Sequence, residues 1–190
     1  FIGGLNKSWG QDCEDSDRSG LELPYGQDKL IEALAKANHN LVVVNISGNP
    51  VAMPWVKKVP AIVQAWYLGS EAGNSIADIL FGKVSPSGKL PMTFPVSLAD
   101  NGAHALGAYP GTKRDGSDIV DIEYKEGLLV GYRWHDAKKI KPLFAFGHGL
   151  SYTDFKYGKA VADRKEFDGN GYITFKVAVT NCGDRSGAEV

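Results

Sequence analysis

The segment Gln11-Asp12-Cys13-Glu14-Asp15-Ser16-Asp17-Arg18 places four carboxylates within six residues. Like charges this close disfavour one another's ionisation, so a carboxyl surrounded as Glu14 is by Asp12, Asp15 and Asp17 is expected to hold its proton longer than usual. Such a group suits general acid/base catalysis near neutral pH, giving a proton in one step and taking one in the next. The same residues also make an acidic solvated turn in which Arg18 neutralises one aspartate, and taken alone that is the simpler reading. The elements around the loop have to decide between the two.

Other segments offer less. Gly82-Lys83-Val84-Ser85-Pro86-Ser87-Gly88-Lys89-Leu90 resembles a phosphate loop, but its glycines are one residue too far apart and Leu90 stands where a Ser or Thr would reach magnesium. Pro86 also removes an amide donor, so nucleotide binding is not expected. No Gly-x-Ser-x-Gly elbow is present, which leaves a Ser-His-Asp hydrolase without its nucleophile. Trp66-Tyr67-Leu68-Gly69-Ser70-Glu71-Ala72-Gly73-Asn74 puts aromatics beyond a buried strand, where ligands of open α/β sheets bind. Core filling by Trp66 and close helix packing at Gly73 is the simpler role for that stretch. His39, His104, His135 and His148 are scattered, and no Cys/His cluster has metal-ligand spacing, so neither metal nor cofactor is expected. Cys13 and Cys182 lie far apart in sequence and read as free thiols.

The 190 residues suffice for one sizeable core or a domain and a half. With 43% hydrophobic and 23% charged residues the chain is expected to fold. A net charge of −1 argues against nucleic acid or a polybasic membrane contact, and no apolar run is long enough to span a bilayer.

From Phe1 to about Pro95 the pattern alternates strand and helix. Phe1-Ile2 reads as the end of a strand. Residues 26–38 read as a helix with Leu30, Ile31, Leu34 and Ala37 on one face, stopped at Asn38-His39-Asn40. Residues 41–46 and 61–66 are apolar runs of the kind buried on both faces of a parallel sheet. Residues 71–81 read as a second helix with Ala72, Ile76, Ala77 and Leu80 aligned, and residues 90–94 as a further strand. Residues 97–121 lack a period and read as a long surface excursion. After Tyr152 the period changes to two: Ile173, Phe175, Val177 and Val179 predict a half-buried antiparallel strand, and Ala188-Glu189-Val190 the start of another. So few strands cannot close a β-sandwich, and the chain is therefore expected to be a segment of a longer protein. The fold class expected is α/β, a mostly parallel sheet between helices, followed by a truncated all-β part.

The motifs, taken in order, resemble glycoside hydrolase family 3. Glu14-Asp15-Ser16-Asp17-Arg18 with Leu23-Pro24 and Gly26-Gln27 is similar to that family's Glu-Gly-Tyr-Asp-Arg…Leu-Pro…Gln segment, with Asp15-Ser16 where Gly-Tyr is common. Residues 44–51 with Trp55, then Gln64-Ala65-Trp66-Tyr67 with Gly69, Glu71, Gly73-Asn74, Ala77-Asp78 and Phe81-Gly82, continue it. Pro86-Ser87-Gly88-Lys89-Leu90-Pro91, Thr93-Phe94-Pro95, Glu126-Gly127, Gly131-Tyr132-Arg133 and Phe146-Gly147-His148-Gly149-Leu150-Ser151-Tyr152-Thr153 complete it, with Ala145 in place of a frequent proline.

The resemblance implies a (β/α)8 barrel, an α/β sandwich and often a fibronectin type III-like domain, with residues 1–153 as the sandwich and 154–190 as the start of the third domain. It implies a retaining, exo-acting β-glucosidase-type enzyme that removes terminal β-linked glucose or related sugars from an oligosaccharide or β-glucoside. Glu14 matches the family's acid/base. The aspartate nucleophile belongs to the N-terminal barrel, the domain's implied partner, and the 190-residue segment alone is expected to be inactive. Glu126 is the competing carboxylate, with a structural role tying a loop. Trp9 and Trp66 are candidates to border the sugar, or else core. Export to the periplasm or beyond is the expectation for family members that digest polysaccharide. The alternative is a non-catalytic carbohydrate-binding or scaffold module of the same fold.

Overall fold

The computed structural model describes every residue from Phe1 to Val190. Its contacts gather into two units: Phe1–Gly73 with Leu90–His148, and Asn74–Lys89 with Gly149–Val190.

The first unit is built on β1 (Ile2–Gly4), α1 (Gln27–Ala37), β2 (Val42–Ile46) and β3 (Ala61–Gln64). The strands form a parallel sheet of order β1-β2-β3, in which Val44 pairs with both Ile2 and Val63. The β-branched run of β2 is therefore central, and Val43 and Val44 are buried, as a strand covered on both faces requires. Gly4 has a φ of +139°, and a Cβ there would lie 2.0 Å from the Ile46 carbonyl oxygen, so only glycine lets β1 end this close to β2. At the same end, the Asn45 amide donates to Ser47 Oγ (2.9 Å) and Gln64 Oε1 (2.6 Å), pinning the register of β2 against β3.

Helix α1 has Asp28 in its first turn and Lys36 in its last, both favourable to the helix dipole. Asn38 closes it with an amide bond to Leu34 O and then turns extended. Its buried face is Ile31 and Ala35 with Leu34 beside them; Leu30 and Ala37 are exposed, a rotation from the expected stripe. These residues join Leu5, Leu23, Val43, Val51, Trp55 and Phe94 in one core. Trp55 is wholly buried, and its indole N–H donates to Asp28 Oδ1 (2.7 Å). Burial raises the Asp28 carboxyl above its ordinary pKa, against the lowering effect of that bond.

The chain continues through α2 (Ala72–Leu80), in which Ile76 is buried. Residues 90–94 do not form the expected strand. Phe94 bridges Phe144, and Leu90 exchanges hydrogen bonds with His148 and Gly147, but Pro91 and Pro95 lack the donors a continuous ladder needs. The 97–121 excursion is more ordered than its composition suggests. It holds the short helix α3 (Gly102–Ala105), capped by Asn101, and the hairpin β4 (Thr112–Lys113) and β5 (Val120–Asp121). Gly102 packs on Trp134 of α4 (Tyr132–Lys138).

In the second unit, β6 (Phe155–Tyr157) pairs with β9 (Val179–Asn181), and β7 (Val161–Ala162) with β8 (Phe175–Lys176), as two separate antiparallel sheets. The expected half-buried strand over 173–179 is broken between β8 and β9, and Phe175, Val177 and Val179 are exposed. Alternation commits one face of a strand to a partner layer, and these short pairs bury no such face. Residues 188–190 form no strand. The two lysines of the phosphate-loop lookalike are engaged, Lys83 with Asp78 (3.0 Å) and Lys89 with Glu189 (3.2 Å) and the Gly149 carbonyl oxygen (2.9 Å). No helix is long and apolar enough to cross a membrane.

Candidate active site

The acidic loop follows β1 directly, at the end of the sheet from which Gly48-Asn49 leaves β2 and Trp66-Tyr67 leaves β3. Local bonds shape it first. Gln11 is buried; its Oε1 accepts from the Asn6 amide (3.1 Å), and its Nε2 donates to Tyr25 Oη (2.9 Å). Ser16 Oγ accepts from the Gly10 amide (2.9 Å). Cys13 and Ser16 then face each other as an isolated antiparallel bridge, which leaves Glu14 and Asp15 as the two-residue tip of a turn. Asp15 has a φ of +63°, a conformation that glycine adopts freely and aspartate tolerates better than most. That is a physical reason for glycine being common there in the family this loop resembles.

The four acids do not share one environment. Asp12, whose side chain is 4% exposed, accepts at Oδ2 from the Gly48 amide (2.6 Å) and the Tyr67 hydroxyl (2.9 Å). Its Oδ1 accepts from Asn49 Nδ2 (3.1 Å) and faces Arg18 Nε at 3.8 Å, the neutralisation expected of Arg18. Arg18 also donates to the Pro50 carbonyl oxygen (2.8 Å). Burial lowers the guanidinium's pKa, with Asp12 opposing it. The Tyr67 hydroxyl is pushed up to about 12, by burial first and then by its bond to Asp12. Asp17 takes a short hydrogen bond from the Tyr109 hydroxyl, which raises that tyrosine's pKa. Glu14 and Asp15 are exposed, and neither carboxylate has a hydrogen bond or ion pair within the chain.

Trp66 and Tyr67 part company at the end of β3. Trp66 has a φ of +56°, strained for a bulky residue by about 1–3 kcal/mol. Its ring packs against the core, edge-on to Phe94 at 6.0 Å, while Tyr67 turns to Asp12. Trp9 is 78% exposed at the edge of the acidic loop. Gly48 makes the meeting of loops possible: a Cβ there would lie 2.9 Å from the Tyr67 ring and 3.3 Å from Asp12 Oδ2.

A cavity of about 860 Å³ opens beside the turn, lined by Asp12, Cys13, Arg18, Tyr67, His104 and Glu126 among others. Glu14 is not in its wall. Arg18 Nη1, Thr93 Oγ1, His104 Nδ1 and Glu126 Oε2 are buried without a hydrogen-bond partner, and all four residues line this cavity. Buried polar atoms need partners, and this mixture of donors and acceptors suits hydroxyl groups or water. Cys13 is half-buried and Cys182 exposed, and both are free.

The sequence singles out Glu14, Trp9 and Trp66 but gives no direct sign that Asp12, Gly48, Tyr67 and Tyr109 hold the loop. Their partners are far away in sequence. The only available signal was a polar residue after each strand of the sheet.

A model of the glycosyl hydrolase family 3 C-terminal domain matches residues 1–152. The chain is 53% identical over 192 aligned positions to beta-glucosidase BoGH3A of Bacteroides ovatus, covering all of this chain and 25% of that protein. It is 45% identical to thermostable beta-glucosidase B of Acetivibrio thermocellus, covering 94% of this chain and 23% of that one. Among solved structures it is similar to DesR, a beta-glucosidase from Streptomyces venezuelae in complex with D-glucose, with TM-score 0.86 and 38% identity over 98% of this chain and 22% of that one. The Kluyveromyces marxianus beta-glucosidase in complex with glucose gives TM-score 0.83 and 40% identity over 97% and 20%. The chain thus spans about a quarter of the length of the curated relatives it matches. The chain belongs to glycoside hydrolase family 3, and its residues 1–152 match that family's C-terminal domain.

Proposed function

We propose that this chain is the acid/base-bearing domain of a retaining, exo-acting β-glucosidase, with Glu14 as the acid/base and the nucleophile on an N-terminal barrel domain. The observation that carries this reading is the turn itself. Glu14 stands exposed at its tip beside Asp15, neither with a partner in this domain, while Asp12 and Asp17 on either side are tied down, and of the two open acids Glu14 is the one the family motif matches. A proton donor meant for a substrate held against another domain has this construction. Retention needs the two carboxyls about 5–5.5 Å apart, a distance a projecting tip can meet from outside the barrel. Glu14 would protonate the leaving oxygen, then deprotonate the water that releases the sugar. Trp9, exposed beside the turn, offers a flat face to a sugar ring. A terminal glucose on a β-glucoside or oligosaccharide is the substrate this reading takes, in line with the printed names of the relatives.

Replacement Glu14→Ala in the full-length protein tests it. Turnover of an alkyl β-glucoside should fall by about 10²–10⁴-fold, the usual share of a general acid/base. Unchanged turnover would remove Glu14 from the mechanism.

A further inference from the structure

Glu14 has nothing within the domain to hold it, so its placement depends wholly on the turn beneath it. The turn's firmest anchor is Asp12, two residues before. Its carboxylate is 4% exposed and gathers donors from three separate stretches of chain: the Gly48 amide and Asn49 side chain beyond β2, the Tyr67 hydroxyl beyond β3, and Arg18 on the far side of the turn. Two features permit this meeting: the missing Cβ of Gly48, and the left-handed turn at Trp66, after which Tyr67 reaches Asp12.

We infer that Asp12 and Tyr67 are positioning residues for the acid/base, clasping the loop after β1 to the loops after β2 and β3 so that Glu14 meets the leaving oxygen. This rests on the assignment of Glu14 above. The clasp acts through Glu14 and not on the reacting atoms. Its loss lets the tip wander, and a displacement of about 1 Å is worth on the order of 10²-fold in rate.

The signature is dependence on the leaving group. An alkoxide needs protonation to depart, whereas 2,4-dinitrophenolate leaves unaided. The readout is therefore the ratio of kcat/KM for methyl β-glucoside to that for 2,4-dinitrophenyl β-glucoside, in the full-length enzyme. Asp12→Asn should lower that ratio about tenfold to a hundredfold, and Tyr67→Phe, which removes one hydroxyl from a half-exposed ring and does not threaten folding, by several-fold. Glu14→Ala, measured alongside, should lower it further than either. If Glu14→Ala shows the dependence while the Asp12 and Tyr67 variants weaken both substrates equally, or neither, the positioning role is overturned and the acid/base assignment stands. If Glu14→Ala shows no dependence, the assignment falls, and the positioning role with it.

Discussion

At the base of the acidic turn the Asp12 carboxylate is 4% exposed and hydrogen-bonded to three residues drawn from two other strand ends, whereas at its tip, two residues on, Glu14 is open and unpartnered. Two carboxylates at such spacing would be expected to behave alike, yet their environments are opposite. The base is a structural joint in which charge is neutralised by Arg18 and backbone donors. The tip is a charge left over. Carboxylates near in sequence need not be near in function: Asp12 turns in to the other strand ends, whereas Glu14 and Asp15 at the tip face outward.

The contrast breaks first under substitution at the base. Asp12→Ala strands the half-buried Arg18 and the Gly48 amide and should cost about 3 kcal/mol of stability, while Glu14→Ala, at the open tip, should stay within about 0.5 kcal/mol. Thermal unfolding of the full-length protein would show a fall for the first and none for the second; equal falls would mean that the tip is also structural. Gly48→Ala should cost about 1–2 kcal/mol, because the added methyl meets the Tyr67 ring and Asp12 in a packed space. A neutral result there would show that the three loops do not close as tightly as these distances imply.

The smallest effect is a titration. Burial and the bond to Asp12 push the Tyr67 hydroxyl up to about 12, above its ordinary 10, so its contribution is complete below pH 10 and is lost as pH rises through the folded value. Difference absorbance at alkaline pH between the native protein and Tyr67→Phe should place that ionisation near 12. Ionisation near 10 would mean that neither the burial of the hydroxyl nor its bond to Asp12 is held in solution.

Much of the first unit was legible in the chain. The run at 41–46 located the buried central strand β2 and the period of 26–38 located α1, while the run at 61–66 located β3, which is shorter than the run and lies half-buried at the sheet edge instead of covered on both faces. Residues 90–94 misled because an apolar run says nothing about missing donors, and Pro91 and Pro95 supply none. The order within 97–121 was hidden in part because its local elements, α3 capped by Asn101 and the two-residue strands β4 and β5, are too short to show a period, and in part because it has remote partners, Trp134 for Gly102 and Asp17 for Tyr109. The alternation at 173–179 was real, but a pattern specifies which face wants cover and not that the cover lies in the same two strands. The site behaved likewise. Motif order singled out Glu14, whereas its support was illegible because Asp12 meets Tyr67 from 55 residues away.

The most direct measurement is the product that full-length Glu14→Ala forms from 2,4-dinitrophenyl β-glucoside in azide. With the acid/base removed, azide fills its space and attacks the glycosyl-enzyme from the face that water would use. The account predicts accelerated turnover and accumulation of β-glucosyl azide. Turnover indifferent to azide, with glucose as the sole product, would contradict the assignment of Glu14 on which the reading of the turn depends.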